Sequence, residues 1–285
     1  MISHPNLPHP EERPGRAPLE GRTASLRLPP VIGHRGAAAH APENTLAGLR
    51  GAKALGCAWV EFDVRLTGDG ALVLCHDPRL DRTTNGSGLV SAKSLAAIRE
   101  LDAGTWFAPS FAGERVPTLD EALLLTSELD LGANIEIKSD RGGEYATAAA
   151  VATTLQRLRG RAPRVLVSSF LPSAVAALRE LAPQIPRGML FRLIPRGWAE
   201  MAQRLGGAMI GADHRRLRPR RIAAIRAAGY RLAAYTVNDP ARARLLFDWG
   251  VTSVFSDAPD IIRPAILPNT STGHSPALAR QGAMR

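Results

Sequence analysis

Short apolar runs alternate with longer segments of helical periodicity along most of this chain. The long segments are rich in Ala, Leu and Arg, and the short runs are bounded by turn-forming residues. This alternation is typical of repeated βα units around a parallel sheet. Eight strands are predicted, over residues 31–33, 59–64, 134–138, 165–169, 188–191, 209–212, 232–236 and 252–256.

Helices are predicted between most of these strands, over residues 44–55, 119–129, 143–158, 173–181, 198–205, 218–228 and 241–249. Eight parallel strands with intervening helices in roughly 240 residues predict a (β/α)8 TIM barrel. An open, doubly wound α/β sheet is the alternative. It is disfavoured because no glycine-rich phosphate loop follows the first predicted strand.

One apolar run, residues 71–75, interrupts the alternation. The turn sequence Gly68-Asp69-Gly70 separates it from the second strand and predicts a hairpin, whose strand would end at His76. The following segment, residues 77–118, is too long for an ordinary connection. It predicts a small insertion over the site, with a short helix near residues 94–101.

The two ends of the chain differ from the middle. Residues 1–28 are rich in Pro, Arg and Glu without apolar periodicity, so a disordered leader is predicted there. Residues 267–285 have a similar composition and predict a flexible tail. The expected barrel domain is therefore residues 29–266.

Composition narrows the class of protein. A chain of 285 residues that is 45% hydrophobic can bury one large core. Cys57 and Cys75 lie in apolar runs and predict reduced core residues. There is no apolar run of membrane-spanning length and no signal-peptide pattern at the N-terminus, so a cytoplasmic protein without stable membrane insertion is expected.

The formal net charge of +10 comes almost entirely from arginine, since Lys53, Lys93 and Lys138 are the only lysines. Such a charge could serve a nucleic acid or an anionic membrane, but no nucleic-acid binding motif accompanies it. We expect no nucleic-acid partner, and a phosphate-bearing small molecule would suit the same positive field. The basic run 215–221 is interpreted as the solvated start of a helix, with membrane or nucleic-acid binding as the alternative.

Glu61 and Asp63 stand two positions apart on a predicted strand, so their side chains point to the same face. Glu136 stands on the next barrel strand and could join them. Three carboxylates offer hard oxygen ligands that suit one divalent cation, Mg²⁺ or Ca²⁺. The alternative is a set of buried ion pairs, such as Glu136 with Lys138 or Glu61 with Arg35.

His34 and His76 each follow an apolar run that ends at the same rim of the predicted barrel. A lone buried histidine is usually structural, but two beside a predicted metal suggest a general acid and a general base. Arg35 can bind a phosphate oxygen through its guanidinium, and Lys138 supplies a second positive charge. Trp106 and Phe107, in the insertion, either cap the pocket or form the insertion's own core.

The ordered motifs of this chain resemble those of glycerophosphodiester phosphodiesterases. The motifs are His34-Arg35-Gly36, Pro42-Glu43-Asn44-Thr45, Glu61-Phe62-Asp63-Val64, His76-Asp77, Pro117-Thr118-Leu119, Asn134-Ile135-Glu136-Ile137-Lys138, Ser168-Ser169-Phe170, Tyr235-Thr236-Val237-Asn238 and Ser256-Asp257. Within that family the chain is most similar to the cytoplasmic bacterial enzymes.

The resemblance implies a metal-dependent enzyme that hydrolyses glycerophosphodiesters to sn-glycerol 3-phosphate and an alcohol. It implies that Glu61, Asp63 and Glu136 bind the metal, and that His34 and His76 exchange protons. The implied substrate-binding residues are Arg35, Lys138, Glu43 and Tyr235. Glu43 could instead support the metal site, and Tyr235 stands where many relatives carry Trp.

Two other functions remain as alternatives. A lysophospholipase D would act on membrane-embedded lysolipids, which requires an apolar approach surface, and the sequence contains no amphipathic anchor. A catalytically silent phosphate-binding module would be expected to lose a histidine or a metal ligand, and none is missing. The sequence leaves open the oligomeric state and the choice between Mg²⁺ and Ca²⁺.

Overall fold

The computed structural model describes residues 26–266, so the predicted leader and tail lie almost entirely outside the described residues. Leu26 and Leu28 belong to the predicted leader, yet they pack into the hydrophobic cluster that also contains Ile32 and Trp59. Leu26 is only 4% exposed. The ordered chain therefore begins at least three residues before the predicted boundary.

A closed parallel barrel forms the centre of the molecule, as the alternation of apolar runs predicted. The nine strands are β1 (Val31–Gly33), β2 (Trp59–Leu66), β3 (Leu72–Leu74), β4 (Gly132–Ile137), β5 (Val165–Ser169), β6 (Arg187–Phe191), β7 (Met209–Asp213), β8 (Arg231–Tyr235) and β9 (Ser253–Ser256). Eight of them pair in parallel in the order β1-β9-β8-β7-β6-β5-β4-β2, and a β1–β2 pairing closes the ring. The fold is thus a (β/α)8 TIM barrel.

The remaining strand, β3, pairs antiparallel with the end of β2, opposite Val64, Arg65 and Leu66. This confirms the hairpin predicted from Gly68-Asp69-Gly70. The hairpin extends the carboxyl-terminal rim of the barrel and delivers His76 to it.

Helices lie between the strands in the expected places. They are α1 (Leu46–Ala54), α2 (Leu95–Arg99), α3 (Leu119–Glu128), α4 (Glu144–Arg157), α5 (Pro172–Leu181), α6 (Trp198–Leu205), α7 (Pro219–Ala227), α8 (Pro240–Asp248) and α9 (Pro259–Ile266). The sequence analysis did not predict α9, which contains an internal proline, Pro264. No helix within residues 26–266 is long and apolar enough to cross a membrane.

Local sequence signals explain where several helices begin. Thr45 caps α1 by accepting a hydrogen bond from the Gly48 amide, and Thr118 forms a reciprocal capping box with Glu121 at the start of α3. These contacts satisfy amides that have no partner inside the helix. Proline stands in the first turn of α5, α7 and α8, where its missing N–H costs nothing.

The barrel interior is filled at its amino-terminal end and polar at its carboxyl-terminal end. Trp59 fills the lower interior together with Ile32, Leu166 and Met209. Gly132 on the neighbouring strand is required there, because a Cβ atom would lie 2.1 Å from the Trp59 ring. The apolar filling leaves the opposite end of the barrel for the site.

Candidate active site

Three carboxylates converge at the carboxyl-terminal end of the barrel. Glu61 and Asp63 lie on β2, and the parallel register with β4 places Asp63 opposite Glu136. One oxygen from each carboxylate lies within 4.8 Å of the other two. The prediction that Glu61, Asp63 and Glu136 meet at one point is therefore correct in its geometry.

Two basic side chains reach into this cluster. The Lys138 ammonium contacts Glu136 and lies 3.3 Å from Asp63, so the ion pair suggested for Glu136 and Lys138 exists. Arg35 lies 3.4 Å from Asp63 through Nε and 2.7 Å from Glu43 through a terminal nitrogen. Glu61 instead accepts a hydrogen bond of 2.9 Å from the backbone amide of Arg35.

The carboxylates differ in charge state. Burial opposes ionisation of Asp63, but Lys138 and Arg35 lower its pKa to about 2. Burial and the neighbouring Asp63 raise the pKa of Glu136 to about 7. Burial, with Asp63 and Glu136 nearby, raises the pKa of Glu61 well above its ordinary value. The two cations that contact the cluster, Arg35 and Lys138, do not balance three ionised carboxylates.

This arrangement fits a divalent cation. Oxygen Oε1 of Glu61 is buried and has no hydrogen-bond partner among the described residues, which would be costly for a charged oxygen. Three carboxylate oxygens with one orphaned atom and insufficient positive charge are the donor set that Mg²⁺ or Ca²⁺ prefers. The residues that could hold such an ion are Glu61, Asp63 and Glu136.

The loop between β1 and α1 contacts the cluster through two residues with unusual backbone conformations. Arg35 and Asn44 both have positive φ angles, of +50° and +57°. The side-chain Nδ2 of Asn44 donates to Oδ2 of Asp63 at 2.9 Å. Its side-chain Oδ1 accepts a hydrogen bond from the Asp63 backbone N–H at 3.0 Å. The loop is therefore fixed to β2, the strand that carries Glu61 and Asp63.

His34 is oriented by Asp257, the residue that follows the last strand. Its Nδ1 lies 2.6 Å from Oδ1 of Asp257, and its Nε2 lies 3.9 Å from Glu61. Asn238 donates to the other oxygen of Asp257 at 2.6 Å. Burial opposes ionisation of Asp257, but the hydrogen bonds from His34 and Asn238 lower its pKa. An ionised Asp257 holds a proton on Nδ1 and leaves Nε2 facing the site.

His76 has an equivalent arrangement on the other side of the cluster. Its Nδ1 lies 2.7 Å from Oδ1 of Asp77, and Arg82 binds the second oxygen of Asp77 at 2.6 Å. Arg82 also contacts both oxygens of Glu43. Burial lowers the pKa of His76, so this ring is held largely neutral at neutral pH.

Glu43 stays a predicted substrate-binding residue, and its contacts are with two arginines. Glu43 lies between Arg35 and Arg82 and is not part of the three-carboxylate cluster. Burial opposes its ionisation, but hydrogen bonding from Arg82 and the charges of both arginines lower its pKa. Glu43 therefore positions Arg35 within the site.

A pocket of about 140 Å³ connects the two histidines with the carboxylates. Part of its wall is aromatic, because Phe170 and Tyr235 stack edge to face at 5.4 Å. The Tyr235 hydroxyl donates to the Phe191 carbonyl at 2.8 Å, so its ring rather than its hydroxyl faces a ligand. Lys138 lies 5.3 Å from the Phe170 ring centre.

Trp106 and Phe107 line a second, outer cavity of about 510 Å³ beside His34 and Arg35. The two rings pack edge to face, and Phe107 packs in the same way on Phe111. The insertion's own hydrophobic cluster is formed by other residues, Val73, Cys75, Leu80, Val90, Ile98, Ala103 and Val116. The cavity favours the pocket-capping alternative for Trp106 and Phe107.

Sequence reasoning gave no role to several residues of the site. Asn44, Asp77 and Asp257 occur inside the quoted motifs, so their neighbours in sequence were a usable signal. Arg82 lies in a loop without periodicity, and nothing in the sequence connects it with Glu43, 39 residues away. Asn134 is also buried, lines the pocket and has no partner for its amide among the described residues.

Two histidines oriented by carboxylates, an acidic cation site and two basic side chains form an arrangement suited to phosphoester hydrolysis. Comparison with known proteins identifies the family. The model of the glycerophosphoryl diester phosphodiesterase family matches residues 34–261. A glycerophosphodiester phosphodiesterase of Caldanaerobacter subterraneus is 34% identical over 237 residues, which cover 81% of this chain and 95% of the relative.

A glycerophosphodiester phosphodiesterase of Bacillus subtilis is 32% identical over 254 residues, covering 81% of this chain and 84% of the relative. The structure of an Oleispira antarctica phosphodiesterase, in complex with the product sn-glycerol-3-phosphate, is 40% identical with a TM-score of 0.81. It covers 84% of this chain and 97% of its own. This chain therefore belongs to the glycerophosphoryl diester phosphodiesterase family, and it is an enzyme of that kind.

Proposed function

We propose that the protein hydrolyses glycerophosphodiesters to sn-glycerol 3-phosphate and an alcohol, with one divalent cation held by Glu61, Asp63 and Glu136. The observation that carries the proposal is the pair of histidines, each oriented by a carboxylate, on the two sides of a pocket with a cation site. The product named for the Oleispira antarctica structure supports the same substrate class.

The basic and the aromatic residues of the pocket have different roles. Arg35 and Lys138 offset negative charge on the phosphate oxygens, because both lie buried beside the carboxylates that keep them protonated. When bound, the cation would polarise the phosphate and lower the pKa of a coordinated hydroxyl. Phe170 and Tyr235 present an apolar wall that would position the carbon skeleton of glycerol.

His34 and His76 transfer the protons. One imidazole removes the proton from the glycerol 2-hydroxyl as its oxygen bonds to phosphorus, and the other donates a proton to the oxygen of the departing alcohol. The product of this step is a cyclic phosphate, which water then opens with the two proton transfers reversed. Asp257 and Asp77 stabilise whichever imidazole carries the positive charge.

The proposal is tested by measuring release of glycerol 3-phosphate from glycerophosphocholine and glycerophosphoethanolamine, and release of lysophosphatidic acid from a lysolipid, each with and without EDTA. We expect activity on the first two substrates and loss of activity with EDTA that returns on adding Mg²⁺ or Ca²⁺. Activity that survives chelation would refute the metal assignment. Hydrolysis restricted to the lysolipid would establish the lysophospholipase D alternative instead.

The acid/base assignment has its own test. His34→Ala and His76→Ala should each lower kcat by roughly 100-fold or more, because each removes one proton transfer. His40→Ala is the matched control, since the His40 ring pairs with Asp260 outside the pocket. Turnover near the wild-type value in either site variant would contradict the assignment. The cytoplasmic location and the absence of a nucleic-acid partner stay predictions.

A further inference from the structure

A basic cavity opens directly from the catalytic pocket. It has a volume of about 440 Å³ and shares four residues with the pocket, His76, Phe170, Tyr235 and Thr236. The residues that it adds include Arg192, after β6, and Arg215, after β7. A substrate that fills the catalytic pocket can therefore extend into this cavity without crossing a barrier of protein.

A larger cavity, of about 550 Å³, continues in the same direction. It shares Arg192 and Asp213 with the first cavity. The arginines that line it are Arg192, Arg216, Arg218, Arg220 and Arg221. Most of them belong to the basic run that precedes α7 and forms its first turn, so the run that the sequence analysis interpreted as a solvated helix start encloses a cavity.

These arginines form no ion pairs with carboxylates among the described residues. Within residues 26–266, no carboxylate oxygen lies within ion-pairing distance of the guanidinium groups of Arg192, Arg215, Arg216, Arg220 or Arg221. Arg218 donates only to the backbone carbonyls of Arg215 and Leu217. In contrast, the site arginines Arg35 and Arg82 are both paired with Glu43.

Asp213 is the one carboxylate that lines either cavity, and it accepts a hydrogen bond from the Arg215 backbone amide. The balance of charge around both cavities is therefore strongly positive. Positive groups gathered in a concave surface attract anions more strongly than the same groups spread over a convex surface. Guanidinium groups also match phosphate and carboxylate oxygens in geometry.

We propose that these two cavities form a binding site for an anionic group on the alcohol part of the substrate. The inference rests on the proposed function and narrows it: the preferred substrates are glycerophosphodiesters whose alcohol carries a further phosphate or carboxylate. Arg192 has the central role because it lines both cavities. A cationic headgroup such as choline gains nothing from this site and is repelled by it.

The test compares two substrates that differ by one phosphate, sn-glycero-3-phosphoinositol and sn-glycero-3-phosphoinositol 4-phosphate, with glycerophosphoethanolamine as a reference. The measured quantity is kcat/KM for release of glycerol 3-phosphate by the full chain with Mg²⁺ or Ca²⁺. We expect the phosphorylated substrate to be preferred roughly fivefold or more at low salt. The preference should shrink as salt rises, because the arginines are exposed.

The double variant R192Q/R215Q should reduce this preference by roughly fivefold, about two- to threefold for each exposed charge removed. The matched control is Arg159→Gln, which removes an exposed arginine that follows α4 at the opposite end of the barrel. Arg159→Gln should keep the wild-type preference. Circular dichroism verifies that each variant is folded before its kinetics are compared.

The outcomes separate the two proposals. Equal kcat/KM for the two inositol substrates, or a preference that R192Q/R215Q leaves intact, would overturn the anionic site while the proposed function stands. Failure to hydrolyse any of the three substrates would overturn the proposed function itself. A preference that falls in R192Q/R215Q and persists in Arg159→Gln supports the site.

Discussion

Asn44 joins the loop after β1 to β2, the strand that carries Glu61 and Asp63, through two buried hydrogen bonds. Its side-chain amide donates to Asp63 and its side-chain carbonyl accepts from the Asp63 backbone N–H. Asn44 is 3% exposed and Asp63 is 1% exposed, so water cannot replace either bond. Replacing Asn44 should therefore have a cost that can be worked from these contacts.

In Asn44→Ala the Asp63 carboxylate loses a charge-assisted hydrogen bond, worth about 1.5 kcal/mol, and a buried N–H loses its acceptor, which costs about 1.5 kcal/mol more. The backbone at this position is left-handed, which alanine adopts less readily than asparagine by about 1 kcal/mol. The expected loss of unfolding free energy is about 4 kcal/mol. Asn44→Gly removes the same bonds without that backbone strain and should lose about 3 kcal/mol.

Urea unfolding followed by circular dichroism measures both values, in EDTA so that bound metal does not contribute. The glycine variant is the matched control, because it separates backbone strain from the lost hydrogen bonds. A loss of unfolding free energy below about 1 kcal/mol in Asn44→Ala would refute the reasoning, since two buried groups left without partners should destabilise the fold by more than that. A glycine variant less stable than the alanine variant would refute the role of the left-handed backbone.

Three further predictions concern the site and the core. Asp257→Asn should lower kcat roughly 10- to 100-fold by releasing the His34 ring from its orientation; unchanged kcat would show that Asp257 does not position the ring. Calorimetric titration should give weaker Mg²⁺ or Ca²⁺ binding at pH 6 than at pH 8, because Glu136, with a pKa of about 7, is protonated below it; equal affinities would contradict that shift. Burial raises the pKa of Cys57 to about 11 and of Cys75 to about 12, so a thiol reagent at pH 8 should label neither residue until urea unfolds the protein. Rapid labelling of the folded enzyme would contradict their burial.

The barrel could be predicted from sequence because its strands are buried on both faces. Such strands are continuous apolar runs, and the eight predicted runs coincide with the eight barrel strands. Helix ends were less predictable: the helix expected from residue 44 begins at Leu46, because Thr45 is its cap and Asn44 is left-handed. A cap and a left-handed residue depend on tertiary contacts that a periodic pattern does not contain.

The acidic cluster was predictable for a similar reason. Glu61 and Asp63 share a face by the two-residue period of a strand, and the parallel neighbour supplies Glu136. The contact between His34 and Asp257 was not predictable from spacing, since the two residues are 223 positions apart, whereas Asp77 directly follows His76. The cavity lined by the basic run 215–221 was also not predictable, because the same charge pattern occurs on a cavity wall and on a solvated helix.

The pairing of β1 with β9 decides when the contact between His34 and Asp257 can form. Gly33 lies opposite Ser256 across this pairing, and only then do His34 and Asp257, on the residues that follow, come into contact. A chain that still lacks its last strand would carry both histidines and all three carboxylates of the cluster, yet its His34 would have no contact with Asp257. This contact therefore forms only once the final strand has paired and the ring has closed.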